Sequence, residues 1–187
     1  MNRYTRHKVI AFIVTLLGLG GLGLLLMYVF QHATPAEVLR VSPGRLVQQV
    51  GIGMAFGLFC GTVLALFLQH VSMRKTVAFF KALAKRYELS VSDAIFLSAA
   101  AGIGEELLFR GAVQYWLGIW ITASIFIFLH GYIQFRNIPL LFYGTILLIV
   151  SAGFGYLMSE QGIWAAMSAH FSVDLVLMLY LRPKHFM

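Results

Sequence analysis

The chain has 187 residues, of which 60% are hydrophobic and only 11% are charged, and its mean hydropathy is +0.84. Soluble domains carry about 25% charged residues, so this composition excludes an ordinary soluble protein and indicates an integral membrane protein. Six spans of about 20 residues would nearly exhaust the length. We therefore predict one domain over residues 1–187, an all-α membrane protein built as a compact bundle of about six transmembrane helices.

The net charge of +7 has two readings, nucleic-acid binding or membrane topology. The lysines and arginines fall in short clusters between apolar runs, which is typical of topology signals in membrane proteins. We therefore expect the lipid bilayer as a partner and no nucleic acid. The one cysteine, Cys60, excludes a disulfide within the chain.

Residues 1–89 contain two predicted spans and one surface helix. The apolar run Val9–Phe30 is too long for the core of a signal peptide, so we predict an uncleaved first span whose glycines allow close helix approach. A short connection over Thr34–Arg45 leads to a second span over Leu46–Leu68. In Val71–Leu89, five basic residues alternate with apolar ones, which predicts a basic amphipathic helix on the membrane surface.

Residues 90–181 contain four more predicted spans. Ser90 and Asp93 have the spacing of a capping box, which predicts a helix start at this point. The predicted spans run from there to Trp116 and over Leu117–Gly131, Leu140–Met158 and Ile163–Leu181. We expect this part of the chain to be the catalytic core.

The distribution of basic residues predicts the orientation. If the spans alternate in direction, Arg40 and Arg45 lie on one side of the membrane, and eleven basic residues lie on the other. The eleven are Arg3, Arg6, Lys8, Arg74, Lys75, Lys81, Lys85, Arg86, Arg136, Arg182 and Lys184. By the positive-inside rule, both termini are expected in the cytoplasm.

The third span carries three charged side chains in six residues, Glu105, Glu106 and Arg110. A charge at the centre of a membrane helix costs about 3 kcal/mol on insertion scales, so such residues mark functional sites by default. Glu106 and Arg110 are four positions apart and can form an ion pair, which by itself would be structural. Glu105 points about 100° away from Glu106 on the helix and has no partner of its own there, so it is available for a functional role.

Three further ionisable side chains lie inside the later spans. Counted from a turn near Leu117, Glu105 lies about 18 Å before it and His130 about 20 Å after it. Counted from the turn near Gly162, His170 and Asp174 lie about 12 and 18 Å deep. Singly, an interfacial histidine or a hydrogen bond between helices would explain each of them. Their common depth predicts a functional cluster.

Three ordered motifs resemble those of the CPBP intramembrane proteases, a family that includes type II CAAX prenyl endopeptidases and bacteriocin-processing or Abi proteins. The motifs are Glu105-Glu106-x-x-x-Arg110, Phe126-x-x-x-His130 and His170-x-x-x-Asp174. The resemblance covers residues 94–180 and implies peptide hydrolysis by a water that a glutamate activates.

The resemblance also implies roles for single residues. Glu105 would be the general base and His130 would bind the water, whereas His170 and position 174 would stabilise the oxyanion. Glu106, Arg110 and Phe126 would support the site. The prenyl endopeptidases carry Asn at the last position, whereas other bacterial members have Asp there. Asn can donate to an oxyanion, but Asp can do so only when it is protonated. Asp174 therefore either stabilises the oxyanion in its protonated form or orients His170.

A metal is the alternative to this glutamic mechanism. Glu105, His130, His170 and Asp174 are all of zinc-ligand type, but the HExxH arrangement is absent and four protein ligands would leave no position for water. We expect that no cofactor is required.

Three functions are compatible with the sequence. An intramembrane endopeptidase would act on a membrane-anchored protein or peptide, in the inner membrane of a bacterium. A non-catalytic bacteriocin immunity factor or scaffold of the same fold would not need the charged residues. An ion or proton carrier would have polar residues distributed across the depth of the bilayer, whereas the ionisable residues of this chain are predicted at one depth. The charged motif residues favour the endopeptidase.

Overall fold

The computed structural model describes residues 3–182, so the topology prediction for Lys184 lies outside the described residues. Within that range the chain is helical, without strands, which confirms the all-α prediction. The principal helices are α1 (Tyr4–Gln31), α2 (Pro43–Phe67), α3 (Arg74–Arg86), α4 (Val91–Leu129), α5 (Ile138–Glu160) and α6 (Ile163–Leu181). Among residues 3–182, all of these except α3 are long and apolar enough to cross a membrane, so this is an integral membrane protein.

Helix α4 contains both the third and the fourth predicted span. A straight helix would separate Glu105 from His130 by about 37 Å, yet Glu105 Oε2 lies 3.5 Å from His130 Nε2. The chain folds back at Gly118, whose φ of 71° and ψ of 176° interrupt the helix. Glycine is suited to this position because it has no Cβ to oppose a positive φ. The predicted turn near Leu117 is therefore one residue long.

Short polar motifs begin several helices. The predicted capping box is confirmed, since Ser90 accepts from the Asp93 amide and Asp93 accepts from the Ser90 amide. Lys8 on α1 also binds Asp93, with Nζ 2.6 Å from Oδ2. This ion pair ties the start of α1 to the start of α4. A second capping box, between Thr34 and Glu37, begins a single helical turn in the predicted connection.

Helix α2 packs closely against α6 through three glycines spaced four residues apart. A Cβ on Gly57 would overlap the Ala169 carbonyl oxygen, and one on Gly53 would overlap the Ala165 carbonyl oxygen. A Cβ on Gly61 would lie 3.0 Å from Val176. Small residues of this kind let membrane helices approach backbone to backbone. This close contact fixes the position of the part of α6 that carries His170.

Helix α1 packs against α4 in the same way. A Cβ on Gly23 would lie 2.6 Å from the backbone of Leu107, and Gly20 approaches Gly104. The predicted role of the α1 glycines is therefore confirmed at these two positions. Both helices contain a π-helical stretch here, Val14–Leu19 and Leu107–Val113. Gln31 Nε2 donates to two carbonyls at the end of the second stretch, at 3.3 and 3.2 Å.

Helix α3 is the predicted amphipathic helix, and it lies against one end of the bundle. Its side chains facing the protein include Phe80, and Lys81 places its ammonium 5.2 Å from the ring centre of Tyr180. The other basic residues of α3 are exposed and lie away from this face, namely Arg74, Lys75, Lys85 and Arg86. The arrangement is typical of a helix at a membrane surface.

Candidate active site

The site begins with the two acids where the π-helical stretch of α4 starts. Glu106 and Arg110 are 0% and 2% exposed, and Arg110 Nη1 lies 3.0 Å from Glu106 Oε1. The predicted ion pair is therefore present. Arg110 Nη2 also donates to Ser151 on α5, at 2.7 Å to Oγ and 3.0 Å to the carbonyl oxygen. These contacts compensate a buried guanidinium, which is costly when unpaired.

Glu106 also binds a histidine of another helix. Its Oε1 lies 2.7 Å from His170 Nδ1, and because a carboxylate only accepts, Nδ1 carries the hydrogen. The bond turns His170 Nε2 toward Glu105 and Asp174, whose nearest oxygens lie at 4.0 and 3.5 Å. Glu106 therefore orients His170 as well as pairing with Arg110, a role that spacing along one helix did not indicate.

Glu105 and His130 face each other across the fold of α4. His130 Nδ1 lies 2.7 Å from the Phe126 carbonyl oxygen, so Nδ1 donates and Nε2 points toward Glu105. The distance from Nε2 to Glu105 Oε2 is 3.5 Å, too long for a strong hydrogen bond. Glu105 Oε2 is buried and has no hydrogen-bond partner among the residues that the structure describes. It is a strong acceptor aimed at the space between two imidazoles.

Aromatic rings fix the polar groups of the site. Phe126 lies 4.2 Å from the His130 ring and 5.6 Å from the His170 ring, centre to centre. It also lies under the Arg110 guanidinium, whose Cζ is 4.8 Å from the ring centre. Phe154 stacks on His170 at 5.3 Å. Phe126 therefore contacts three of the predicted site residues, which is more than the packing of one helix requires.

The polar groups line a cavity of about 380 Å³. Glu105, His130, His170 and Asp174 all contribute to its wall, and so does Phe80 of α3. Tyr132 also lines it, and burial, with the charges of Asp174 and Glu105, raises the pKa of Tyr132 to about 12. This phenol stays protonated at physiological pH and is a hydrogen-bond donor in the cavity.

Sequence reasoning missed three residues of this site, Ser151, Phe154 and Tyr132. Each is of a type that is common in membrane helices or loops, and none stands in a charged motif. For Ser151 and Phe154 the one available signal was their position in the middle of the fifth span, at the expected depth of the cluster. Their contacts with Arg110 and His170 depend on the packing of α5 against α4 and α6.

The polar side chains of the site are of types that can bind a metal ion. Within residues 3–182, no group of three or more histidine, cysteine or acidic side chains has the arrangement that would hold one. Each imidazole already uses Nδ1 for a protein acceptor. Both Nε2 atoms face Glu105, and the expectation that no cofactor is required stays a prediction.

The fold and the site together define a class: an all-α integral membrane protein with a buried acid and two imidazoles at a cavity. Residues 87–176 match the profile of the family described as "Rce1-like: Type II CAAX prenyl endopeptidase Rce1-like". The matched segment contains every predicted site residue. The resemblance to the type II CAAX prenyl endopeptidases is therefore confirmed over this segment.

One curated relative has no stated activity. The chain is 31% identical over 97 residues to "Uncharacterized protein YpbD" of Bacillus subtilis (strain 168). The alignment covers 51% of this chain and 49% of that protein, so the chain spans about half the length of the relative. No solved structure matches the chain at a significant level.

Proposed function

We propose that the protein is an intramembrane endopeptidase that cleaves a peptide bond with a water activated by Glu105. The observation that supports this most is the position of Glu105 Oε2. It is a buried carboxylate oxygen without a hydrogen-bond partner among the described residues, 3.5 Å from His130 Nε2 and 4.0 Å from His170 Nε2. Peptide hydrolysis needs such a base, because water is a poor nucleophile at neutral pH.

The reaction would proceed through a tetrahedral intermediate. A water held between Glu105 Oε2 and His130 Nε2 loses a proton to the carboxylate as its oxygen attacks the scissile carbonyl carbon. The C–N bond then breaks, and the proton on Glu105 passes to the leaving amine. Hydrolysis therefore consumes one water and leaves Glu105 ionised for the next cycle.

His170 is the group that we assign to the oxyanion. Its Nδ1 donates to Glu106 and its Nε2 faces the cavity. In the imidazolium form Nε2 also carries a hydrogen, which would be donated to the developing charge. Removal of one such donor in other hydrolases costs about 3 kcal/mol of transition-state stabilisation. Asp174 lies 3.5 Å from the same nitrogen and would hold that hydrogen in place before the substrate arrives.

The cavity suggests the side from which the substrate enters. Beside the polar cluster, its wall includes Phe80 of α3 and the ends of α2 and α6 at Leu68 and Leu181. Basic residues concentrate at this end, which the positive-inside rule assigns to the cytoplasm. We propose that both termini face the cytoplasm of a bacterial plasma membrane, and that a membrane-anchored protein or peptide is bound from that side.

Comparison of membrane-protein termini in cells would test the proposal. Mass spectrometry would compare cells carrying the wild type, Glu105→Ala and the control Glu160→Ala, an exposed acid at the end of α5. We expect termini that disappear with Glu105→Ala and remain with Glu160→Ala. Identical termini in all three strains, at equal amounts of inserted protein, would support the non-catalytic scaffold.

A further inference from the structure

A second cavity, of about 600 Å³, lies beside the catalytic one and has an almost entirely apolar lining. It is lined by α1, α3, the start of α4 and the end of α6, and it is open to the surface. Its α1 wall includes Ala11 and Val14, and its α3 wall includes Leu83 and Ala84. Leu97 and Met178 are shared with the catalytic cavity. The two spaces are therefore separated by single layers of side chains.

Contacts between α1 and α3 occur at one end of this cavity. The ring of Tyr87, just after α3, lies 6.1 Å from the rings of both Tyr4 and His7. Away from this contact, apolar side chains of the two helices face each other across the cavity. An apolar space of this size at the edge of a membrane protein is suited to a flexible hydrocarbon chain.

The outer flank of α3 continues this apolar surface. Phe79 and Leu83 are 64% and 40% exposed, and at helical spacing they lie on one side of the face that contacts the protein. Lys75 and Arg86 lie on the same side, one step further toward the outer face, and both are exposed. An apolar strip bordered by cations is complementary to a lipid with an anionic headgroup.

The lysine that lines the cavity is already paired. Lys8 lines the cavity, but its ammonium binds Asp93 at 2.6 Å. The charge available for a headgroup on this surface is therefore that of α3, where residues 74–86 include five basic side chains and no acidic one. This net charge favours an anionic headgroup over a zwitterionic one.

The structure assigns this surface, formed by the apolar cavity and the exposed flank of α3, as a binding site for an anionic phospholipid of the bilayer. One acyl chain occupies the cavity between α1 and α3, and the anionic headgroup lies along the exposed flank of α3, where Lys75 and Arg86 contribute positive charge. Because Phe80 lines both cavities, the bound lipid would also hold α3 at the edge of the catalytic cavity. The site is independent of the proposed hydrolysis, since Glu105, His130, His170 and Asp174 do not line its cavity.

Photo-crosslinking in vesicles tests this assignment. The full chain would be reconstituted in phosphatidylcholine vesicles that contain a trace of a probe lipid with a photoreactive acyl chain. The probe lipid is phosphatidylglycerol in one sample and phosphatidylcholine in the other. We expect the phosphatidylglycerol probe to label α1 and α3 in preference to the phosphatidylcholine probe. Lys75→Gln/Arg86→Gln should reduce that preference by up to about 30-fold, since each basic residue near the surface contributes about a factor of five. The control Arg40→Gln/Arg45→Gln removes two exposed charges elsewhere and should leave it unchanged.

A second pair of variants tests the chain cavity. Ala84→Trp places a large ring in the cavity and should abolish labelling of α1, whereas Ala82→Trp, on the exposed face of α3, should not. Equal labelling by the two probes would overturn the anionic assignment. Labelling that survives Ala84→Trp would overturn the cavity assignment. Glu105→Gln should label like the wild type, so failure of the lipid site and failure of the proposed hydrolysis give different results.

Discussion

His170 of α6 and Glu106 of α4 form a 2.7 Å hydrogen bond in the middle of the bundle. The bond joins two helices through groups that are almost fully buried, and the same Glu106 oxygen is 3.0 Å from Arg110. One carboxylate oxygen thus neutralises the arginine and holds the imidazole. The orientation of His170 Nε2 toward Glu105 follows from this contact.

Glu106→Gln should destabilise the protein strongly, unlike a change at Glu105. The amide keeps the shape but leaves Arg110 as a buried charge without its partner, which typically costs about 3–5 kcal/mol. Thermal unfolding in detergent would show the loss. Adding Arg110→Met should recover much of the stability, because the uncompensated charge is then removed. A Glu106→Gln protein as stable as the wild type would contradict the structural role of the pair.

Ser151→Ala should lower stability and activity together. The hydroxyl accepts from Arg110 Nη2 at 2.7 Å, and leaving a buried donor with one bond fewer costs about 1–3 kcal/mol. The same substitution at Ser124, which is exposed and bonds only to the Trp120 carbonyl, should have little effect on either quantity. Equal effects at the two serines, measured by thermal unfolding, would show that the Arg110 contact contributes nothing.

Gly57→Ala should displace α6 and with it His170. A methyl group at Gly57 would overlap the Ala169 carbonyl oxygen, directly before His170, and overpacking of this kind costs about 1–3 kcal/mol. Gly51→Ala is the matched control on the same helix, because nothing lies within 4 Å of a Cβ there. Unfolding temperature and cleavage rate should fall for Gly57→Ala alone. Normal behaviour of both variants would indicate looser packing of α2 on α6.

Asp174→Asn and Asp174→Ala should behave differently. Asn can still contact His170 Nε2 from the same position and can donate to an oxyanion, so cleavage should continue. Ala removes the contact altogether, and we expect a loss of about 10-fold or more, because His170 then lacks the acceptor that orients its Nε2 hydrogen. Cleavage rates of the two variants would be compared in one membrane preparation. Full activity of Asp174→Ala would exclude position 174 from the reaction.

Features set by local spacing could be predicted from the sequence. The Ser90 capping box depends on residues three positions apart, and the Glu106–Arg110 pair on residues one helical turn apart. Ile163–Leu181 was predicted with the bounds that the structure has, since a turn precedes it and a charged residue follows it. The depth of the ionisable residues followed from counting residues between turns.

Features set by packing between helices could not be predicted in the same way. The bond between Glu106 and His170 depends on the rotation of α6 relative to α4, which is fixed by contacts such as that of Gly57 with Ala169. The shape of the turn at Gly118 could not be predicted, because the turn lies within a mainly apolar run. The hydropathy of such a run indicates how many spans it contains but does not show which helix faces contact each other.

The most direct test of the central claim is the cleavage rate of purified Glu105→Gln in reconstituted membranes, with a substrate identified from cells and Glu160→Gln as control. Loss of a general base lowers rates by about 10²- to 10⁴-fold, and we predict a fall of the cleavage rate in this range. The unfolding temperature should not change, because Glu105 Oε2 has no hydrogen-bond partner among the described residues. Glu160→Gln should cleave like the wild type. A Glu105→Gln protein that cleaves at the wild-type rate would contradict the proposed mechanism.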